Sequence, residues 1–312
     1  MKPAAAAILR VNAASLEFQN PVILAAGTAA YGRELAGVMD LESVGGIVTK
    51  AVSPEPRKGA AAPRVAEFTG GMINAIGLAN PGLDAVREED LPWLAENFRA
   101  GRVIVNVVGK AVEDFATVVE GLTGMARVDA FELNVSCPNV KAGGMEFGAD
   151  LATLTALVSR ARAATNKPLF VKLSPTLPSI ADTARAAAFA GASGITLVNT
   201  IPGLVVDIDN RRPALGFGSG GVSGAGLLPV GVLAVWKVSK AVDVPLIGTG
   251  GVSRGTDVIQ YLMAGATLVG IGTAALRDPR TPERVISEVA DWCEAHGVRS
   301  VTELTGTLEW PS

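Results

Sequence analysis

Eight short, almost unbroken apolar runs recur along this chain, with stretches of helical periodicity between them. The runs are PVILAAG (21–27), GGIVTKAV (45–52), RVIVNVVG (102–109), AFELNVS (130–136), PLFVKLS (168–174), GITLVNT (194–200), VPLIGTGG (244–251) and TLVGIGT (267–273). Runs this short and this uniformly apolar read as strands covered on both faces, the way parallel sheets are buried. Amphipathic segments fill the gaps at 84–98, 111–123, 151–165, 178–190, 228–241 and 255–264, and another at 282–296 closes the chain. Eight strands alternating with helices predict an α/β fold, a (β/α)8 TIM barrel, with a doubly wound open sheet as the alternative. The 312 residues suit a barrel of ~250 residues with insertions.

Two segments stand outside the alternation. EFTGGMINAIGLANPG (67–82) follows the second run and is expected to add a small hairpin; DIDNRRPALGFGSGGVSGAG (207–226) follows the sixth. These are the small β insertions expected at the C-terminal rim. Nothing resembling a linker, repeat or low-complexity segment divides the chain, so residues 1–312 are read as a single domain.

Polar residues gather where the runs end: Thr28, Lys50, Asn106, Asn134 with Ser136, Lys172, Asn199 with Thr200, Gly250 with Gly251, and Gly272 with Thr273. In a barrel these ends meet at one rim, where such folds keep their active sites. One polar strand end is ordinarily a cap or a turn; eight together point to a site. The glycine-rich ends of runs seven and eight suit phosphate, which barrels often bind there through backbone N–H groups. GFGSGG (216–221) formally matches a dinucleotide fingerprint, but polar DNRRPAL precedes it where a strand is required. It is read as a flexible or phosphate-facing loop.

Lys50 and Lys172 stand in apolar strands, where a lysine needs an ion pair or an anionic ligand. Asn74, Asn80, Asn134 and Asn199 could read a flat ligand rich in amides, although a lone asparagine is usually a turn residue. Cys137 directly follows the fourth run, and Pro138 prevents a helix from continuing. Glycines 143, 144 and 148 make the next segment a candidate lid. An isolated cysteine is ordinarily an inert buried residue. Here its polar neighbours favour chemistry, since a thiol of pKa ~8.5 can serve as base or nucleophile where the thiolate is stabilised.

Composition excludes several classes. A net charge of −3 gives no basic face for nucleic acid. No run reaches the ~18 apolar residues of a membrane span. The N-terminal AAAAIL is too short for a signal peptide, so a cytoplasmic protein is expected. Two cysteines cannot build a disulfide framework or supply the four ligands usual for an iron–sulfur cluster, and no metal centre is expected. The single histidine, His296, belongs to a polar C-terminal helix and reads as a solvated helix end, so catalysis must proceed without histidine.

Ten motifs in order give the chain a family likeness. NPVILAAGT, TKAVSPEPRKG, NAIGLANPG, NVVG, LNVSCPNVKAGG, VKLSP, VNTIPG, GGVSG, GTGGV and GIGTA resemble the landmarks of dihydroorotate dehydrogenases, from about residue 20 to 275. The resemblance implies FMN held at the C-terminal rim of a (β/α)8 barrel. Carried over by motif, FMN would contact Thr28, Lys50, Ala51, Asn106, Asn134, Lys172, Val198, Gly224, Gly250, Gly251, Gly272 and Thr273. Substrate would contact Lys50, Asn74, Ala75, Ile76, Gly77, Leu78, Asn134, Asn199 and Thr200. Thr28 departs from the serine expected in many relatives but keeps the hydroxyl.

Cys137 falls on the family's catalytic base. The resemblance implies that (S)-dihydroorotate loses a proton from C5 to Cys137 and a hydride from C6 to flavin N5, giving orotate for pyrimidine biosynthesis. Class 2 enzymes carry serine at that position and a membrane-binding extension, and neither is found here. NVKAGGMEFG and AAGTAAYG resemble class 1B, whose catalytic subunits form a homodimer core in a heterotetramer. The other subunit carries FAD and a [2Fe–2S] cluster and passes electrons to NAD⁺. Class 1A, a stand-alone dimer using fumarate, is one alternative. The other is a dihydropyrimidine dehydrogenase-like activity, whose family has histidine where Asn139 stands.

Overall fold

All eight apolar runs form strands in the computed structural model, which describes residues 7–136 and 146–311. In chain order they are β1 (Val22–Leu24), β2 (Gly46–Val48), β3 (Arg102–Val107), β4 (Ala130–Asn134), β5 (Leu169–Leu173), β6 (Gly194–Leu197), β7 (Leu246–Thr249) and β8 (Leu268–Ile271). Each pairs in parallel with the next, and β8 pairs with β1 through Gly270 opposite Ile23, so the sheet closes. That closure rules out the open-sheet alternative.

Alternation along each strand divides the core into two layers. Ile23, Val48, Glu132, Lys172, Thr196, Ile247 and Gly270 all border one small void inside the barrel, which places them on its inner face. Phe170 also points inward and packs over Gly194 of the neighbouring strand, where an added Cβ would lie 2.4 Å from its ring. The outward residues meet the helices α1 (Arg33–Ala36), α2 (Leu91–Asn97), α3 (Val112–Thr123), α4 (Leu151–Ala163), α5 (Ile180–Phe189), α6 (Leu228–Ser239), α7 (Gly255–Ala264) and α8 (Thr281–Ala295). In α3, Phe115, Val118, Val119 and Leu122 share the buried stripe. Local chemistry marks the helix ends: the Asp150 carboxylate accepts from Thr153 N–H at 2.8 Å to start α4, and Gly265, at φ +117°, closes α7. None of the described helices is long and apolar enough to cross a membrane.

Sequence periodicity did not reveal two elements. The first crossover holds only the single turn α1, too short to show a period. An antiparallel hairpin, Val11–Ala13 with Leu16–Phe18, precedes β1. Its Phe18 is buried against the start of β2, and Arg102 Nε donates to Glu17 O, so it closes the end of the barrel opposite the rim.

At the rim the expected hairpin is present, Val65–Phe68 with Gly71–Asn74, but it is half of a larger unit. Gly220–Ser223, from the insertion after β6, pairs with Gly71–Asn74 on one side and Ile201–Gly203 on the other. This corrects the reading of GFGSGG as a loop, because its last two glycines belong to a strand. A Cβ on Gly221 would lie 2.1 Å from Thr200 Oγ1, and one on Gly220 would lie 2.5 Å from Asn74 O. Close packing of this sheet is what requires glycine there.

Candidate active site

A cavity of about 720 Å³ opens at the C-terminal ends of the strands. Its floor is polar because successive strands end in hydrogen-bonding side chains. Asn106 (β3), Asn134 (β4) and Lys172 (β5) line it, as do Val198, Asn199 and Thr200 just past β6, Lys50 and Ala51 past β2, and Thr28 past β1. Lys172 is buried, while Lys50 is half-buried and its N–H donates to Ala30 O. Asn199 Nδ2 donates to Asn134 Oδ1 at 3.4 Å, and Asn199 Oδ1 accepts from Thr200 N–H at 2.9 Å. Each end of the Asn199 amide makes one bond and keeps a second for a ligand, and the Asn134 NH2 is also left to meet one.

The other end of the cavity is a backbone cradle. Gly250, Gly251, Gly272 and Thr273 line it together with Gly224. Gly250 and Gly251 have φ of +119° and +75°, a region that side chains resist. The N–H groups of Gly251, Val252 and Gly272 find no acceptor among the described residues. Free amides converging on a glycine-lined hollow suit the oxyanions of a phosphate. The hollow, the polar floor and the volume together fit a phosphate-tailed flat cofactor such as FMN.

Tyr261 braces this cradle from below. Its ring fits against Gly248 and Gly231, and its hydroxyl donates to Gly250 O at 2.8 Å. Burial holds the phenol above its usual pKa, so it remains a donor. Tyr261→Phe should lower unfolding free energy by about 1–3 kcal/mol, the cost of an unsatisfied buried carbonyl, measured by urea titration. A variant as stable as the parent would show that the bond does not brace the turn.

Over the floor, the rim sheet brings Asn74, Ile76 and Leu78 to the cavity. Ala75 and Gly77, expected beside them, do not line it. Ala75 N–H donates to Arg64 O at 2.8 Å, and a Cβ on Gly77 would lie 2.4 Å from Ala60 N. These contacts hold the two against the preceding loop, Gly77 in a turn at φ +67°. Asn80 is also a structural residue: it is buried, its Nδ2 donates to Ser53 Oγ and Leu78 O, and its Oδ1 accepts from Gly82 N–H. Cys137 and two of the lid glycines, 143 and 144, fall in 137–145, outside the described residues, whereas the third, Gly148, is buried in a turn over Phe147–Ala149. On either side of that segment, Gly148 N–H donates to Val135 O at 3.1 Å and Phe147 packs edge-on against Phe115. Cys293 is buried in α8, where burial raises its thiol pKa, and His296 is exposed at the end of the same helix.

Glu132 was not anticipated. It lies fully buried beneath the floor, with Oε1 accepting from Asn106 Nδ2 and Oε2 from Thr196 Oγ1, each at 2.7 Å. Its signal was present in AFELN, a charge in an apolar strand two residues before Asn134 and therefore on the same face. Arg284 was also missed. It donates to Ser253 O at 3.0 Å and to Glu288, whose other oxygen accepts from Gly255 N–H, and so braces the turn after β7. An arginine on an amphipathic helix carries no comparable signal.

A closed parallel barrel, with a large rim cavity joining an amide cradle to an asparagine- and lysine-lined floor, defines the class as a (β/α)8-barrel enzyme. A family model described as Dihydroorotate dehydrogenase matches residues 8–292, and the chain belongs to that family. Three relatives bear the name "Dihydroorotate dehydrogenase B (NAD(+)), catalytic subunit". The protein of Pelobacter propionicus is 44% identical and that of Geobacter metallireducens 43%, each match covering 96% of this chain and 98% of the relative. The protein of Bacteroides fragilis is 41% identical over 96% of this chain and 99% of its own.

Proposed function

We propose that this chain is the FMN-bearing catalytic subunit of a two-component, NAD⁺-linked dihydroorotate dehydrogenase, acting in pyrimidine biosynthesis. The observation that carries the reading is the cavity, in which a phosphate cradle and an amide-reading floor share one space in a chain of this family. When bound, FMN supplies a two-electron acceptor. Thr28, Gly224, Gly250, Gly251, Gly272 and Thr273 would hold its phosphate end, and Lys50, Ala51, Asn106, Asn134, Lys172 and Val198 its ring. For the substrate, Asn74, Asn134, Asn199 and Thr200 would hold the amide and imide edges of dihydroorotate, while Lys50 balances its carboxylate. Cys137 would take the C5 proton. The turn that follows the rim-sheet strand, through Ile76 and Leu78, would cover the substrate and exclude water.

The reading takes residues 1–312 as one cytoplasmic domain, paired as a homodimer core in a heterotetramer. Its other subunit would carry FAD and a [2Fe–2S] cluster. The names of the relatives, catalytic subunits of an NAD(+) enzyme, support the division of labour. The chain's own composition supports it too, since two cysteines cannot ligate such a cluster. Reduced, isolated chain should therefore reoxidise very slowly with NAD⁺ in stopped-flow mixing, and rapidly once the partner is added. Rapid reoxidation by NAD⁺ alone would sink the two-component reading, and rapid reoxidation by fumarate would replace it with the stand-alone class.

A further inference from the structure

We propose that Glu132 is a positioning residue of this site, a buried carboxylate that sets which way the Asn106 amide faces and places a negative charge beneath Lys172. The inference rests on the FMN reading above. Glu132 is 1% exposed, and no ion pair among the described residues includes it or Lys172. Buried charges ordinarily require a partner charge, because burial strips away their hydration. Glu132 has instead two neutral donors, Asn106 Nδ2 and Thr196 Oγ1.

Both carboxylate oxygens accept, and an ionised carboxylate can do nothing else. Asn106 must therefore turn its NH2 downward, since a flipped amide would set oxygen against oxygen. Its Oδ1 is left as the atom available to the cavity, an acceptor suited to a ligand N–H such as that of an imide. A neutral side chain could stitch β3, β4 and β6 together equally well, but it would not carry the charge. Glu132 lies one inward layer below Lys172, since β4 and β5 pair Asn134 with Lys172 and Glu132 with Phe170. Both border a void of about 10 Å³ that Thr196 and Thr249 also line. That is at the lower limit of the room one water needs, ~10–15 Å³, and much of its wall is apolar, from Ile23, Ala25, Ala26, Val48 and Ile247. In this low-dielectric setting the carboxylate acts on Lys172, and on whatever lies above it, with little screening.

The test is the two-electron midpoint potential of FMN bound to the purified chain. Glu132→Gln keeps the size and an acceptor but removes the charge. It should bind FMN and shift the reduction equilibrium toward the reduced form about tenfold, ~30 mV upward for two electrons. Bound FMN with an unchanged potential overturns the charge role. If the glutamine variant does not fold, Glu132→Asp decides, because it keeps the charge and draws the carboxylate back from Asn106. Its potential should stay near that of the parent while its FMN dissociation constant rises about tenfold, the effect of one weakened bond to a charged group. An aspartate variant that binds FMN like the parent overturns the positioning role. A parent chain that takes up no FMN would bring down the functional reading instead.

Discussion

Replacing Cys137 with alanine is expected to slow reduction of bound flavin by dihydroorotate by a factor on the order of 10²–10⁴, the usual contribution of a positioned acid–base group. Flavin and orotate binding should persist, because the cradle and the asparagine floor are intact without the thiol. Position supports the role: Cys137 is three residues past Asn134, which lines the cavity at the end of β4. The other cysteine cannot substitute, being sealed in α8. The active form of the base is the thiolate, so the parent's rate should rise with pH toward the thiol pKa of ~8.5, or lower if the site stabilises the anion. Cys137→Ser should be slow near neutrality and recover partly as pH rises, since a hydroxyl is the weaker base. Anaerobic stopped-flow bleaching of the flavin reads all three. Unimpaired reduction in the alanine variant would remove Cys137 from the mechanism.

Gly272→Leu should give a folded but colourless protein. Most glycines of the cradle make poor test sites because a side chain would break the fold first: a Cβ on Gly251 would lie 2.4 Å from Leu228 N. Gly272 differs in having room for a side chain, its nearest prospective neighbour, Thr28 Oγ1, being 3.7 Å away. A leucine there meets no close atom and projects into the space assigned to phosphate, but at ψ −100° it carries backbone strain of about 1–3 kcal/mol. Flavin occupancy should fall from one per chain to near zero, while circular dichroism stays close to the parent's and the thermal midpoint drops by only a few degrees. Full flavin occupancy in this variant would show that the phosphate lies elsewhere.

Much of this architecture is legible along the chain because its causes are local. A strand covered on both faces must be apolar throughout, so LFVKL and LVGI announce themselves, and a polar group inside such a run, as at Lys172, marks the rim. The same logic applied to AFELN would have found Glu132, whose charge is as anomalous as that of the lysines. Local signals suggested one hairpin of the rim sheet, but none could have found its pairing with the later insertion. Gly71–Asn74 and Gly220–Ser223 pair across about 150 residues, and Ile201–Gly203 includes a proline at the sheet edge. Short strands of this kind are stabilised by their partners, and their own propensity is weak.

By itself, then, the sequence determined the eight-fold alternation, the gathering of polar groups at one end of it, and the family, since each depends on residue type and order along the chain. Tertiary structure decided which of those groups share a space. It turned Asn74, Ile76 and Leu78 toward the cavity and Ala75 and Gly77 away from it, and it gave Asn80 to the loop. It also set Glu132 beneath Asn106, 26 residues away in the chain, and opposite Thr196, 64 residues away. The reason is physical: composition and period specify which faces of an element are buried, but side chains from different strands meet only when the barrel closes and their registers are set.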